Sequence, residues 1–139
     1  MREIKFRAWD GKKMIGSDSV KYFVEFDGTA WFNDGTTEYD ILREQPHFKL
    51  MQFTGLLDKK GKEIYEGDVV KVANKGYLNG NKVVVWDYTL LCYVLVWAEL
   101  YNEWKGAMSG TTFLKVSSGI KCEISGNIYE NPELLNSNA

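Results

Sequence analysis

Apolar and polar residues alternate from the start of the chain. In Glu3-Ile4-Lys5-Phe6-Arg7-Ala8-Trp9 the period is two, which predicts a half-buried strand with Ile4, Phe6 and Ala8 on one face and Lys5, Arg7 and Trp9 on the other. Asp10-Gly11 is a turn pair, and Met14-Ile15 after the two lysines reads as the return strand of a hairpin. Val20 to Phe26 and Thr29 to Phe32 are aromatic and β-branched. The turn signals Asp27-Gly28 and Asn33-Asp34-Gly35 follow them, so a meander is predicted. The stretch Glu38 to Glu44 fits a short strand or one helical turn, and Pro46 ends either. Phe48 to Phe53 is extended again and is expected to stop at Thr54-Gly55, ahead of a polar turn from Asp58 to Lys62.

That polar turn marks the boundary between two lobes. Beyond it, a Gly67-Asp68 step opens a strand through Val72, and the turn-rich Lys75 to Asn81 follows. Lys82 to Trp86 and Leu90 to Trp97 are two strongly apolar runs separated by Asp87-Tyr88-Thr89. After the break at Gly106 to Gly110, strands are predicted over Thr111 to Val116 and Ile120 to Ile124. About five short strands between frequent turns predict a small β-barrel of SH3-like or OB type. Asn131-Pro132-Glu133 has an N-cap residue, a proline at the first helical position and an acidic first turn, which predicts one helical turn. The expected class is mainly β with little helix: a β-rich lobe over 1–57, a barrel lobe over 58–135 and a frayed tail over 136–139.

The run Leu90 to Trp97 carries no charge. If Leu90, Cys92, Val94 and Val96 face the barrel core, then Leu91, Tyr93, Leu95 and Trp97 need cover from the first lobe or from another subunit. An open edge of this composition would otherwise aggregate.

Composition narrows the function classes. The 139 residues are 45% apolar and 26% charged, which excludes a disordered chain. Seventeen Lys and Arg against nineteen Asp and Glu leave a net charge of −2, so no global positive field draws the protein to nucleic acid. Cys92 and Cys122 form no CxxC pair, and the N-terminus lacks the apolar core of a signal peptide. No run is long enough to span a membrane, so a cytoplasmic, reduced protein is expected.

Three blocks resemble the YopX family of phage and prophage proteins. They are Lys5-Phe6-Arg7-Ala8-Trp9-Asp10, then Leu50 to Leu56 running through Asp58 and Gly61 to Asp68, and finally Gly126 to Pro132. The middle block is the most specific. The stretches Gly16 to Gln45 and Ala73 to Ser118 carry no family block. The resemblance implies a mostly β protein with an SH3-like barrel in its second half, a phage origin and hence a bacterial host cytoplasm. It implies no reaction, because the family has no established activity or catalytic residues.

The candidate chemistry is sparse. His47 is the single imidazole, in an expected loop, and nothing in the sequence joins it to Cys92 or Ser109. No glycine-rich phosphate loop occurs. Asp58, Glu63, Glu66 and Asp68 form the one carboxylate cluster of the kind that holds Mg²⁺ in a metal-dependent hydrolase. Its spacing matches no EF-hand, and Lys59, Lys60 and Lys62 interleave with it, so a solvated turn is favoured and no metal or cofactor is expected. Lys5, Arg7 and Trp9 share a face on which cations and an indole are able to hold a nucleic-acid strand. The expectation is a non-catalytic binding module that takes a protein partner or self-associates, with nucleic acid as the alternative.

Overall fold

The structure, a computed structural model, describes residues 3–16, 22–25, 27, 29–33, 42–44, 47–72, 79–104, 106, 113–115 and 121–136. Turn signals at Gly28 and Asp34-Gly35, Pro46, Lys75 to Leu78, and Ala107 to Thr112 lie outside those residues. The chain divides into two compact units, 4–52 and 53–139 with 1–3. The division falls inside a strand, and the polar turn at Asp58 to Lys62 is a loop within the second unit.

The first unit contains β1 (Phe6–Trp9), β2 (Met14–Ile15), β3 (Tyr22–Val24), β4 (Ala30–Asn33), β5 (Leu42–Glu44) and the start of β6 (Lys49–Leu57). The predicted hairpin pairs Ala8 with Ile15 and Trp9 with Met14. Asp10 closes it, its Oδ1 accepting from the backbone N–H of Lys12 and Lys13. On its other side β1 pairs with β6, Arg7 opposite Met51 and Trp9 opposite Lys49. Strands β3, β4 and β5 form an antiparallel meander, which resolves the ambiguous 38–44 stretch as a strand at Leu42–Glu44. Ala8, Ile15 and Ala30 are the buried centre, with Val24, Phe48 and Leu50 packed around them.

In the second unit β6 pairs with β7 (Glu63–Tyr65) through Phe53–Tyr65 and Leu57–Glu63, with a register shift between the two pairs. Gly55 lies in that shift at φ 86°, a conformation that side chains resist. Thr54-Gly55 therefore bulges the strand instead of ending it. The Thr54 hydroxyl donates to the Ile64 carbonyl across the bulge at 2.8 Å.

A five-stranded antiparallel sheet follows, built from β8 (Asp68–Val72), β9 (Asn81–Asp87), β10 (Cys92–Trp97), β11 (Phe113–Lys115) and β12 (Cys122–Asn127), in the order β11-β10-β9-β8-β12. It is a curled half-barrel, the form taken by the small barrel expected here, and the chain is mainly β with little helix. Two 3₁₀ turns accompany it, η1 (Ala98–Glu103) and η2 (Pro132–Leu135). Both faces of the sheet are buried. On one, Val70, Val84, Tyr93, Leu95 and Cys122 pack with Ile64. On the other, Val69, Val83, Val85, Val94 and Val96 pack with Ala98 and are flanked by Leu100, Tyr101, Trp104, Leu134 and Leu135 of the two turns and their ends. Among the described residues, no helix is long and apolar enough to cross a membrane.

Candidate functional site

The residues that carry the family blocks are occupied with holding turns. Asp58 is only 7% exposed. Its Oδ1 accepts from the N–H of Lys60 at 2.8 Å and Lys62 at 2.9 Å, and its Oδ2 accepts from Ile124 N–H at 3.1 Å, 66 residues on. Burial pushes this carboxyl up, but the three N–H donors outweigh it and hold Asp58 below the usual carboxylate range. Lys59 N–H donates to the Cys122 carbonyl at 2.9 Å. Lys59 and Lys60 both ion-pair with Glu123, whose carboxyl is held low by those two donors.

Asp68 is buried and accepts from Tyr65 N–H at 2.8 Å, and Glu63 accepts from the Tyr65 hydroxyl at 2.9 Å. Of the four carboxylates considered for Mg²⁺, Asp58 and Asp68 are thus turned onto backbone donors and Glu63 onto the Tyr65 hydroxyl. Among the described residues, no group of three or more His, Cys, Asp or Glu side chains is placed to hold a metal ion.

The last block is built the same way. Asn127 Oδ1 accepts from Tyr129 and Glu130 N–H at 3.0 and 2.9 Å, its Nδ2 donates to Glu130 at 2.7 Å, and Asn131 Oδ1 accepts from Asn127 N–H. The middle and last blocks meet through the backbone at Gly67, which donates to Val84 and accepts from Ile128. Burial, with the Asp58 and Asp68 charges adding to it, pushes the Cys122 thiol up, which leaves it an inert core group. His47 is an exposed residue edge-on to Phe48 at 4.8 Å. Cys92 is half-buried, and Ser109 lies outside the described residues.

Against this frame of turns, the profile described as YopX protein matches residues 5–136. The chain belongs to the YopX family. Two solved structures have the YopX fold seen here. Protein YopX from Bacillus subtilis is 20% identical over 98% of this chain and 100% of that one, with a TM-score of 0.57. Protein EF1440 from Enterococcus faecalis is 21% identical over the same shares, with a TM-score of 0.54. No curated protein matches the chain.

The two surfaces marked by the sequence fare differently. Lys5, Arg7 and Trp9 are half-buried, and each already takes part in a polar, ionic or ring interaction. The apolar β10 set is split. Tyr93 and Leu95 are enclosed by Ile64, Val70, Val84 and Cys122 of their own unit, so the cover they require comes from neighbouring strands of their sheet and from β7. Trp97 is half-buried, with the Lys82 ammonium 3.8 Å from its ring centroid. Leu91 lies outside the strand altogether.

Leu91 belongs to the β9–β10 hairpin tip, where Tyr88 is 73% exposed and Leu91 70% exposed, with Leu90 also at the surface. The tip is pinned from below. Asp87 is fully buried and its Oδ1 accepts from Thr89 and Leu90 N–H at 2.7 and 2.9 Å. Leu91 N–H donates to the Asp87 carbonyl, and Tyr88 N–H donates to Gly106. Leu91 is held at φ 52°, the sole non-glycine residue with positive φ among the described residues. In the sequence the tip is masked by a polar break, because Asp87 reads as a solvated turn residue and Leu91 as part of a strand.

Proposed function

We propose that this protein is a non-catalytic accessory protein of phage or prophage origin that works in the bacterial cytoplasm by binding a protein, with the β9–β10 hairpin tip as its contact surface. The observation that carries this reading is the tip itself. Tyr88, Leu90 and Leu91 present large apolar side chains to water within four residues, on a turn fixed by a fully buried carboxylate. Exposed apolar groups gathered at one place mark interaction sites, and a turn that is already ordered loses little entropy on docking. Asp58 and Asp68, two of the four carboxylates that would serve a hydrolase, are engaged with backbone donors, and the Lys5, Arg7 and Trp9 face is half-buried, which supports contact through the tip over either alternative.

The test is affinity capture from host lysate, with and without nuclease, using the native chain and Leu91→Asp. Aspartate tolerates the left-handed region, so the variant keeps the turn while charging its apolar crown. A defined protein held in stoichiometric amount through nuclease treatment and released by the variant, or a dimer seen by sedimentation that the variant dissociates, is the expected result. Capture lost on nuclease treatment would move the function to nucleic acid and the Lys5, Arg7 and Trp9 face. Capture unchanged in Leu91→Asp would remove the tip from the contact.

A further inference from the structure

Lysines gather around one carboxylate on the second unit. Lys59 Nζ and Lys60 Nζ each lie 2.5 Å from an oxygen of Glu123. Lys71 stands directly opposite Glu123 in the β8–β12 pairing, so the two side chains share a face, and Lys121 immediately precedes β12, two residues from Glu123. Lys62 closes the turn that carries the first two. All five lysines are exposed.

The carboxylates nearby do not balance them. Asp58 is buried and spends both oxygens on backbone N–H groups, Glu63 accepts from the Tyr65 hydroxyl, and Glu123 is shared by two ammonium groups. Five cations against three carboxylates leave a surplus of two positive charges in a chain whose net charge is −2. Among the described residues, Lys62, Lys71 and Lys121 have no ion pair. Like charges crowded on a fixed turn repel one another, and an anion that joins them relieves the repulsion. The turn is already set by Asp58, and at its crest nothing but the chain neighbours of Gly61 lies within 4 Å of where a Cβ would stand. An arriving group therefore finds the backbone ordered and the approach open.

The chemistry of the patch selects its partner. All five cations are lysines, point charges on flexible stems that suit phosphate oxygens, whereas the planar fork of arginine is the better match for a carboxylate. Protein interfaces are built on a buried apolar centre, and among the described residues Leu57 is the one large apolar side chain exposed on the β6–β7 hairpin. Phosphate contacts need no such centre.

We propose that the Lys59–Lys62 turn, with Lys71 and Lys121, binds the phosphodiester backbone of nucleic acid without regard to base sequence. The surface uses no residue of the β9–β10 tip and does not depend on protein binding there. The experiment is fluorescence anisotropy of the full chain with two end-labelled DNA duplexes of unrelated sequence, followed as salt is raised.

Both duplexes should bind alike. If Lys62, Lys71 and Lys121 neutralise three phosphates, the log–log salt slope is about −2.7, and affinity falls about fortyfold between about 20 and 80 mM KCl. Lys62→Gln, Lys71→Gln and Lys121→Gln should each weaken binding about tenfold and reduce the slope by about 0.9, with the circular dichroism of the native fold retained. Leu91→Gly should bind as the native protein does. The proposal is overturned if no saturable binding occurs at the lowest salt, or if Lys5→Gln or Arg7→Gln removes binding while the three other lysine variants keep it. It is also overturned if poly-glutamate of equal charge binds as tightly as the duplex, which would assign the patch to an acidic protein segment.

Discussion

Asn131 fills the space that a side chain at Gly126 would need: a Cβ there would lie 2.3 Å from Asn131 Oδ1 and 2.7 Å from its Cγ. That oxygen also accepts from Asn127 N–H at 3.3 Å, so it cannot swing away without releasing a donor in the turn. Gly126→Ala should therefore destabilise the protein by about 2 kcal/mol, as for other overpacked sites. Asn131→Ala removes the obstructing atoms, so the double variant should lose less than the sum of the two single changes. Chemical denaturation of the four proteins measures this coupling directly.

Asp58 makes stability depend on acid. Its folded carboxyl lies below the ordinary value because three N–H donors favour the charged form, so its contribution is present above the usual carboxylate range and is lost as pH falls through the folded value. Asp58→Asn should cost about 1–3 kcal/mol at neutral pH. The gap between native protein and variant should begin to narrow below about pH 4, where the unfolded chain takes up a proton that the native carboxylate still resists, and close only as pH falls through the lower folded value. Unfolding midpoints from pH 7 to pH 3 give the difference curve, and a constant gap would contradict the assignment.

Leu91→Gly separates strain from contact. The left-handed conformation costs a leucine about 1–2 kcal/mol, and glycine gives back about 0.5–1 kcal/mol through its freer unfolded chain. A net gain of about 0.5 kcal/mol in stability is expected, together with loss of the partner captured by the native tip. Denaturation and capture on the same preparation read both effects.

Leu95→Ala tests which apolar residues of the hairpin belong to the core. Leu95 is 2% exposed and packed in the Ile64–Val70–Val84 cluster, so its truncation should cost about 3 kcal/mol. Truncating Leu91, which is 70% exposed, should change stability little. Loss of self-association by Leu95→Ala without loss of thermal stability would place that side chain at an interface instead.

The parts of the fold legible in the sequence are those where one signal dominates locally. Alternation at Phe6–Trp9, the Asp10-Gly11 turn, the β-branched β9 and the Asn131-Pro132 start of η2 all carry their structure within a few residues. At β10 the alternation fails, because both of its faces are apolar and each is covered within the unit. Periodicity there gives a strand but not which side needs a partner. Thr54-Gly55 reads as a stop because a bulge and a turn use the same residues. The turn η1 was missed, although Ala98, Tyr101 and Trp104 recur at a three-residue spacing and pack together on the sheet.

The candidate sites are less legible than the fold because their residues come from distant turns. Lys59, Lys71 and Lys121 look like unrelated solvated residues until β8, β12 and the Asp58 turn meet. Asp58 looks solvated until Ile124 reaches it. The family blocks were legible as a resemblance, and the structure gives their physical content: they are the residues that close turns and join strands.

The link from Asp58 to Ile124 also sets an order of events while the chain is being made. Strand β8 leaves the ribosome with one edge open, and that edge is closed only when Cys122–Asn127 emerges to pair with it. Until then the Asp58 carboxylate has no Ile124 donor, and Lys59 lacks both its carbonyl and its glutamate partner. Contacts this remote in sequence are slow to form, and an unpaired strand edge is the part of a nascent chain most exposed to wrong pairings.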